Sequence, residues 1–425
     1  MKTFIKTALL LLVLSAFLIA CNKDSEEENT IKIVNSEIYD LMKEVYLWND
    51  ELPEVNPRSY SSPEALMDAL RYVAFDKWSA VITKTEYTQY FENGEMIGHG
   101  FMLGLDGDGN IRIGFLYRGT QAYNLGIRRG WIIKKVNGTT ATTDNVLDLL
   151  GPSETGRNNT ISFLNASGEA MDLSLTKEVI NLTPVLYSRI INQDVTKIGY
   201  MVFQDYIDAA NEELDTLFTS FAAAGIDEMI VDLRYNGGGS VEVAENLAGW
   251  LIGKNNGDQP FVNFRHNTKY TKWDTTLNVP AYASGLSVNR IFFITTGSTA
   301  SASELTINGV KPYLSETGIA GTTTHGKPVG MYAFPFNNYN YVVLPVAFKY
   351  TNADDEGDFY DGLPPTLQAV DDLTHDFGNA DEESLKALLD YIRDGSVPLK
   401  SAKSIGSQSR IVEPQHAINE YLKAY

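Results

Sequence analysis

The hydrophobic pattern changes character along the chain. Residues 35–92 carry apolar positions near helical spacing, with Ile38, Leu41, Met42, Val45, Tyr46 and Trp48 recurring on one face. Ser62-Pro63-Glu64 opens a second helix, with Ser62 as N-cap and Pro63 at the first helical position. Asp76-Lys77-Trp78-Ser79 breaks that pattern. Between 93 and 178, short alternating runs predict strands at Phe101–Leu105, Ile111–Leu116, Trp131–Val136, Thr160–Leu164 and Met171–Leu175. The D-x-D-x-N run Asp106–Asn110 joins the first two as a hairpin turn. It also resembles the start of a calcium loop, but Ile111 stands where that loop needs Gly and Tyr117 where it needs Glu, so the turn is preferred. No metal site is expected.

From 179 to 395, strands and helices alternate. Strands are predicted at Ile198–Phe203, Met229–Leu233, Arg290–Thr295, Ile319-Ala320 and, as one long element, Tyr341–Tyr350. Helices are predicted at Ala209–Ala224, Val241–Ile252 and Ser301–Tyr313. This alternation predicts an α/β domain. Residues 396–425 read as a C-terminal tail with one helix over 414–425.

The N-terminus modifies this picture. Lys2 and Lys6 precede an apolar run from Ala8 to Ala20, the length of a signal-peptide core and too short for a comfortable membrane span. It ends in Leu-Ile-Ala-Cys, which resembles the lipobox of bacterial lipoproteins. That resemblance implies a signal peptide over 1–20, lipidation of Cys21, and a cell-envelope protein tethered to the membrane. An uncleaved anchor is the alternative. Residues 21–34, rich in acidic and polar side chains, read as a tether. Cys21 is the only cysteine among 425 residues, so there is no intramolecular disulfide and no further thiol for catalysis or metal binding. A net charge of −20 argues against a nucleic-acid partner.

Candidate chemistry lies in Gly297-Ser-Thr-Ala-Ser301-Ala-Ser-Glu304, which follows an apolar strand and opens a helix. Small residues let the backbone approach a ligand, and a helix N-terminus offers free N–H groups to a developing oxyanion. An ordinary Ser/Thr cap is the bland reading of the same run. Lys327 follows 26 residues later in Thr-Thr-His-Gly-Lys-Pro. Gly321–Lys327 also fits the first seven positions of a P-loop, but Pro328 occupies the position that needs Ser or Thr for Mg²⁺.

The Ser301 run, Lys327 with the Gly326 before it, the Asp232-Leu-Arg-Tyr-Asn-Gly-Gly-Gly239 turn and Asp361-Gly-Leu-Pro-Pro365 together resemble the S41 peptidases, the tail-specific or C-terminal processing proteases. The resemblance implies a ClpP/crotonase-like core over 179–395. It implies Ser301 as nucleophile and Lys327 as general base, with oxyanion N–H groups from Ala302 and from Gly238 or Gly239. It requires no metal or organic cofactor. Lysine must be neutral to take the serine proton, and apolar neighbours such as Ile319, Val329 and Met331 favour that form. Met331 stands where many members carry a lysine-orienting glutamine, and Pro312 where some carry an aspartate.

Residues 93–178 resemble a PDZ domain. Gly98-His99-Gly100-Phe101 is similar to its carboxylate-binding loop, and Gly119–Ala122 with Arg129–Gly138 to its second half, Trp131 standing where Asp is usual. The resemblance implies recognition of polypeptide C-termini by strand addition. The expectation is therefore an enzyme acting on extracytoplasmic polypeptides, of open oligomeric state. The rivals are a peptide-binding lipoprotein that keeps the fold without catalysis, and a crotonase-like acyl enzyme.

Overall fold

The computed structural model describes residues 28–395 and, as backbone, residues 410–412. The leader, Cys21 and the helix expected over 414–425 lie outside the described residues. Among those described, no helix is long and apolar enough to cross a membrane.

The chain forms two compact units. The smaller takes residues up to 84 with 266–272 and 331–348. Its first helix covers residues 28–45, so helix already exists at 28–34 where a tether is expected. Val34, Ile38, Met42 and Val45 are buried at helical spacing, which is what fixes this segment against the unit's core. Ser62 caps the helix Pro63–Leu70 by accepting the Ala65 N–H (3.1 Å). The break at Asp76 is a side-chain turn, because this buried carboxylate accepts the N–H groups of Trp78 and Ser79 (2.9 Å each) and the Tyr46 hydroxyl (2.7 Å). Residues 35–92 are not helical throughout: Ala80–Thr83 is a strand, paired antiparallel with Tyr341–Leu344. The long strand expected over Tyr341–Tyr350 is two, Tyr341–Leu344 and Val346–Thr351, because Pro345 between them lacks a ladder N–H.

The larger unit holds a β-rich region and an α/β core. In the β-rich region, Phe101–Leu105 (β1), Ile111–Leu116 (β2), Ile132–Val136 (β3), Asn158–Leu164 (β4) and Ala170–Thr176 (β5) form an antiparallel sheet in that spatial order. Asp106 closes the β1–β2 turn by accepting the N–H groups of Asp108 (3.0 Å) and Asn110 (2.8 Å), and Arg112 neutralises it. Inward residues of the alternating strands, among them Leu103, Ile113, Ile133, Ile161 and Phe163, make a separate hydrophobic core that also buries Trp131.

The core sheet runs Val185–Gln193 (β6), Thr196–Phe203 (β7), Glu228–Asp232 (β8), Arg290–Thr295 (β9), Glu316–Gly321 (β10) and Leu367–Gln368 (β11) in spatial order. β6 and β7 form an antiparallel hairpin, and every later neighbour is parallel. Adjacent Phe292 and Phe293 in β9 point to opposite faces and both have no exposed surface, so the sheet is covered on both sides. Helices Ala210–Ala224 (α1), Val241–Asn256 (α2), Ala302–Val310 (α3) and Glu383–Asp394 (α4) accompany it. α3 is shorter than the expected Ser301–Tyr313, because Pro312 cannot continue it and a tighter turn at Lys311–Tyr313 follows. Pro260–His266 and Thr275–Asn278 pair as strands in a stretch with no predicted element. A last strand, Arg410–Val412 (β12), lies antiparallel against β1.

Candidate active site

Parallel neighbours bring their C-terminal ends side by side, and in open α/β sheets ligands bind outside those ends. Here β8 leads into the turn Leu233–Gly239, and β9 into the turn Thr296–Ser301. The two turns are joined by the Ala300 N–H (3.1 Å) and the Ser303 hydroxyl (3.0 Å) on the Asn236 carbonyl, and by the Thr299 hydroxyl on the Leu233 carbonyl (2.7 Å).

Ser301 sits immediately before α3 with φ 55° and ψ −117°, in a region that a residue with a side chain seldom adopts. Strain of this kind persists only where surroundings fix it. Gly238 explains how it fits: a Cβ placed on Gly238 would lie 2.8 Å from both the Ser301 Cβ and the Ala302 nitrogen. Gly238, one of two glycines expected to present an N–H to the oxyanion, donates it instead to Asn236 Oδ1 (2.8 Å). Gly239, beside it, pairs with Tyr206 in an isolated parallel bridge.

Lys327 is 3 % exposed and lies in the turn after β10. Two side chains connect it to Ser301. Glu304, in the first turn of α3, is fully buried. Its Oε2 accepts both the Ser301 N–H (3.0 Å) and the Lys327 N–H (2.8 Å). Its Oε1 accepts the Gly326 N–H (2.6 Å) and the Thr324 hydroxyl (2.5 Å). Burial raises the Glu304 pKa, with these four donors pulling the other way. Tyr350 bridges from the carbonyl side, its one hydroxyl proton shared between Lys327 O (3.0 Å) and Ser301 O (3.3 Å). The backbones of Ser301 and Lys327 are thus fixed to each other twice.

The Asp361–Pro365 segment backs this turn. The Thr324 N–H donates to the Leu363 carbonyl (3.1 Å), and the Thr324 hydroxyl accepts the Leu363 N–H (2.7 Å). Gly326 has φ 91°, and a Cβ there would meet the Tyr360 carbonyl at 2.4 Å. His325 donates its backbone N–H to Thr299 (2.9 Å).

Asp232 and Arg234 of the Asp-Leu-Arg run do a different job from the glycines that follow them. The Arg234 guanidinium meets Asp232 (2.7 Å), Glu382 (2.7 Å) and Asp371 (2.9 Å), all buried. Arg129, from the turn before β3, joins the cluster at Asp371 (2.8 Å), and the Tyr235 hydroxyl donates to the same carboxylate (2.6 Å). Burial alone would raise the Asp371 pKa, but the two guanidinium groups outweigh it and hold it low. A second link runs from the β-rich region to the Gly239 bridge: Tyr117 and Tyr90 donate to Asp205 (3.0 and 2.7 Å), the neighbour of Tyr206.

Gly98 ends the strand Glu95–Gly98, His99 and Gly100 make the turn, and Phe101 opens β1. His99 is buried, its Nε2 lies 2.9 Å from Asn159 Oδ1 and its ring stacks on Phe101. Burial, opposed by that hydrogen bond, lowers its pKa to about 4. Met331 ends the short strand Val329–Met331, and Pro312 lies in the turn after α3. The described residues hold no group of three or more His, Cys, Asp or Glu placed to bind a metal.

Glu304 and Tyr350, which tie the Ser301 and Lys327 turns together, are the site residues that sequence reasoning missed. Glu304 stood in the serine run without a role, and Tyr350 carried no signal.

Comparison with known proteins bears on the same residues. The curated "Probable CtpA-like serine protease" of Staphylococcus aureus (strain MRSA252) is 24% identical over 306 residues, 71% of this chain and 56% of its own. Its counterpart from Staphylococcus saprophyticus is 25% identical over 303 residues, 70% of this chain and 59% of its own. The chain therefore spans a little over half the length of these relatives. Among solved structures, the "Putative S41 protease" of Bacteroides fragilis NCTC 9343 superposes with a TM-score of 0.72 at 24% identity, over 85% of this chain and 97% of that one. The photosystem II D1 C-terminal processing protease gives 0.50 at 17%, over 79% and 92%. These likenesses concern the mixed α/β fold. The pattern of Peptidase family S41 matches residues 197–368, which include the serine and lysine turns, and that of the Peptidase S41 N-terminal domain matches 34–80. With both patterns present in order and together covering just over half of the sequence, the chain belongs to peptidase family S41, a family of serine-type peptidases.

Proposed function

We propose that this protein is an endopeptidase with Ser301 as nucleophile and Lys327 as general base, built on a ClpP/crotonase-like core. The observation that carries the reading is the single Glu304 oxygen that accepts the N–H groups of both residues. Two segments separated by β10 have no packing reason to share one buried carboxylate oxygen unless their relative position matters.

In the proposed reaction, neutral Lys327 Nζ takes the proton of Ser301 Oγ as Oγ attacks the peptide carbonyl. The reaction requires that neutral form, because an ammonium cannot accept the proton. Negative charge develops on the carbonyl oxygen, and the N–H of Ala302, at the open N-terminus of α3, meets it together with the N–H of Gly239. Gly238 contributes by having no Cβ, since its own N–H is engaged by Asn236. The lysine ammonium then protonates the departing amine. Water, deprotonated by the same lysine, attacks the acyl ester and frees Ser301.

The β-rich region we read as PDZ-like, with the Gly98–Phe101 loop receiving the C-terminal carboxylate of a polypeptide and β1 pairing with its extended chain. Cys21 and the run before it support an envelope lipoprotein facing extracytoplasmic polypeptides.

The test is proteolysis of an unfolded protein with an apolar C-terminus by the protein lacking its leader, beside Ser301→Ala and Lys327→Ala. Cleavage lost in both variants is the expected result. Cleavage that survives in Ser301→Ala overturns the nucleophile. Binding of the apolar tail without cleavage by any form would favour the peptide-binding lipoprotein instead.

A further inference from the structure

The strand β12 covers the edge to which a peptide would add. Without it, β1 is the outermost strand of its sheet, and an unpaired edge is a template for any extended chain. Register places Val412 opposite Leu103, Ile411 opposite Gly104 and Arg410 opposite Leu105. The tail therefore runs antiparallel to β1 and toward the Gly98–Phe101 loop, the direction in which a C-terminal peptide would approach it.

The hydrogen-bonding side of each residue follows from alternation along the strand. The Gly100 carbonyl accepts from Tyr117 and the Asp106 N–H donates to Asn110, both toward β2. Even-numbered residues of β1 thus face β2, and Phe101, Leu103 and Leu105 direct their N–H and carbonyl groups to the outer edge. Arg410 and Val412 face them, whereas Ile411 faces away.

We propose that residues 410–412 act as a built-in occupant of the peptide-receiving edge of β1, which a polypeptide C-terminus displaces in order to bind. This rests on the PDZ-like reading of the β-rich region. Only fourteen residues separate Gly395 from Arg410 in sequence, so the strand is tethered close to its edge. A short tether gives an effective concentration in about the millimolar range. Among the described residues the tail gives three to this ladder, few enough for the occupant to be replaceable. Its effect is to set a threshold: ligands that pair only through their backbone lose to the tail, and those that also fill side-chain pockets or present a carboxylate to the loop win.

The test uses the full chain without its leader, as Val412→Pro and Ile411→Pro. Proline at 412 removes an N–H aimed at β1, and proline at 411 removes one aimed away. The readouts are amide hydrogen exchange at Leu103 and Leu105, and anisotropy of a fluorescein-labelled decapeptide with three apolar C-terminal residues and a free carboxylate. Val412→Pro should speed exchange at both amides and tighten peptide binding by about tenfold, since apparent affinity scales with the fraction of open edge. Ile411→Pro should change neither. Unchanged exchange in Val412→Pro overturns the pairing. Faster exchange with equal peptide binding by parent and variant overturns the competition while leaving peptide recognition intact. Faster exchange with no binding by any form overturns the peptide-recognition reading itself, and the proposal with it.

Discussion

Replacing Glu304 by glutamine keeps the side chain's shape and changes only what its two terminal atoms can accept. Four donors converge on the carboxylate: Ser301 N–H and Lys327 N–H on one oxygen, Gly326 N–H and the Thr324 hydroxyl on the other. An amide has one oxygen, so its NH₂ must face one of these pairs. Facing Ser301 and Lys327, it strands two N–H donors. Facing Gly326 and Thr324, it strands one, because the threonine hydroxyl can turn and accept. The second arrangement is cheaper, at about 1–3 kcal/mol for a single buried orphan donor. The remaining two bonds lose their charge-assisted character, which costs roughly another 1 kcal/mol. Against this stands relief of the burial that raises the carboxylate's pKa. The net destabilisation expected is about 2 kcal/mol, read by urea unfolding. The catalytic effect should be larger than that figure suggests. With the Gly326 anchor gone, the lysine turn can shift relative to Ser301, and a displacement near 1 Å is able to cost about a hundredfold in rate. Peptide cleavage should show kcat down by about that factor with KM little changed, at a temperature where the variant is still folded. A variant as stable as the parent and within about twofold of its kcat would refute the argument that Glu304 positions the two turns.

Other outcomes follow from the same geometry. Tyr350→Phe removes the hydroxyl that spans the Ser301 and Lys327 carbonyls; stability should fall by about 1 kcal/mol and kcat several-fold, with the two measured as for Glu304. Arg234→Met leaves Asp232, Asp371 and Glu382 buried around an uncharged side chain; the expected loss is about 3–5 kcal/mol, and a melting temperature lowered by less than about 4 °C would contradict it. His99, with its pKa lowered from 6.5 to about 4, makes stability pH-dependent. The unfolded chain takes up its proton first, so this histidine costs nothing above pH 6.5 and progressively destabilises as pH falls from 6.5 toward 4, by about 3 kcal/mol in all. Unfolding curves at pH 7 and pH 5 should show that slope in the parent and lose it in His99→Gln.

What could be read from the sequence was whatever depended on neighbours along the chain. The apolar run before Gly297, the small residues after it and a helix start at Ser301 all act within a dozen positions, and they pointed to a strand–turn–helix junction before any contact was known. The helix at Pro63 was legible for the same reason. Elements set by distant partners were not. Arg234 lies between two turn-forming stretches and was read as part of the oxyanion turn, yet its charge is matched by Asp371 and Glu382, 137 and 148 residues away. No local pattern marks those acids as partners among so many others. The strand Ala80–Thr83 follows a helical segment and exists because Tyr341–Leu344 pairs with it.

The glycine turn shows how a correct motif still leaves its chemistry open. Gly238 and Gly239 are equivalent in sequence, and both tolerate the left-handed backbone angles that the turn requires. They are made different by Asn236. Its side-chain oxygen takes the Gly238 N–H and its backbone carbonyl takes the Ala300 N–H and the Ser303 hydroxyl. One asparagine therefore folds the turn back on itself and holds it against the Ser301 turn. Only then does the missing Cβ of Gly238 matter, because it faces Ser301 at 2.8 Å. The sequence carries the asparagine, the glycines and the serine, but which glycine makes room and which presents an N–H depends on a side-chain rotation that spacing does not encode. Asn236→Asp separates these roles. It keeps an acceptor for the Gly238 N–H but loses the Nδ2 donor to the buried Phe203 carbonyl (3.0 Å), so the melting temperature should fall and kcat is compared where the variant is still folded. It also sets a carboxylate beside the place where oxyanion charge would develop, so kcat relative to the parent's at the same pH should fall at neutral pH, and that deficit should shrink as the carboxylate is protonated. A variant-to-parent ratio of kcat that stays near one at every pH would mean that the turn lies outside the field of the reacting carbonyl, and the oxyanion assignment to Ala302 and Gly239 would fail with it.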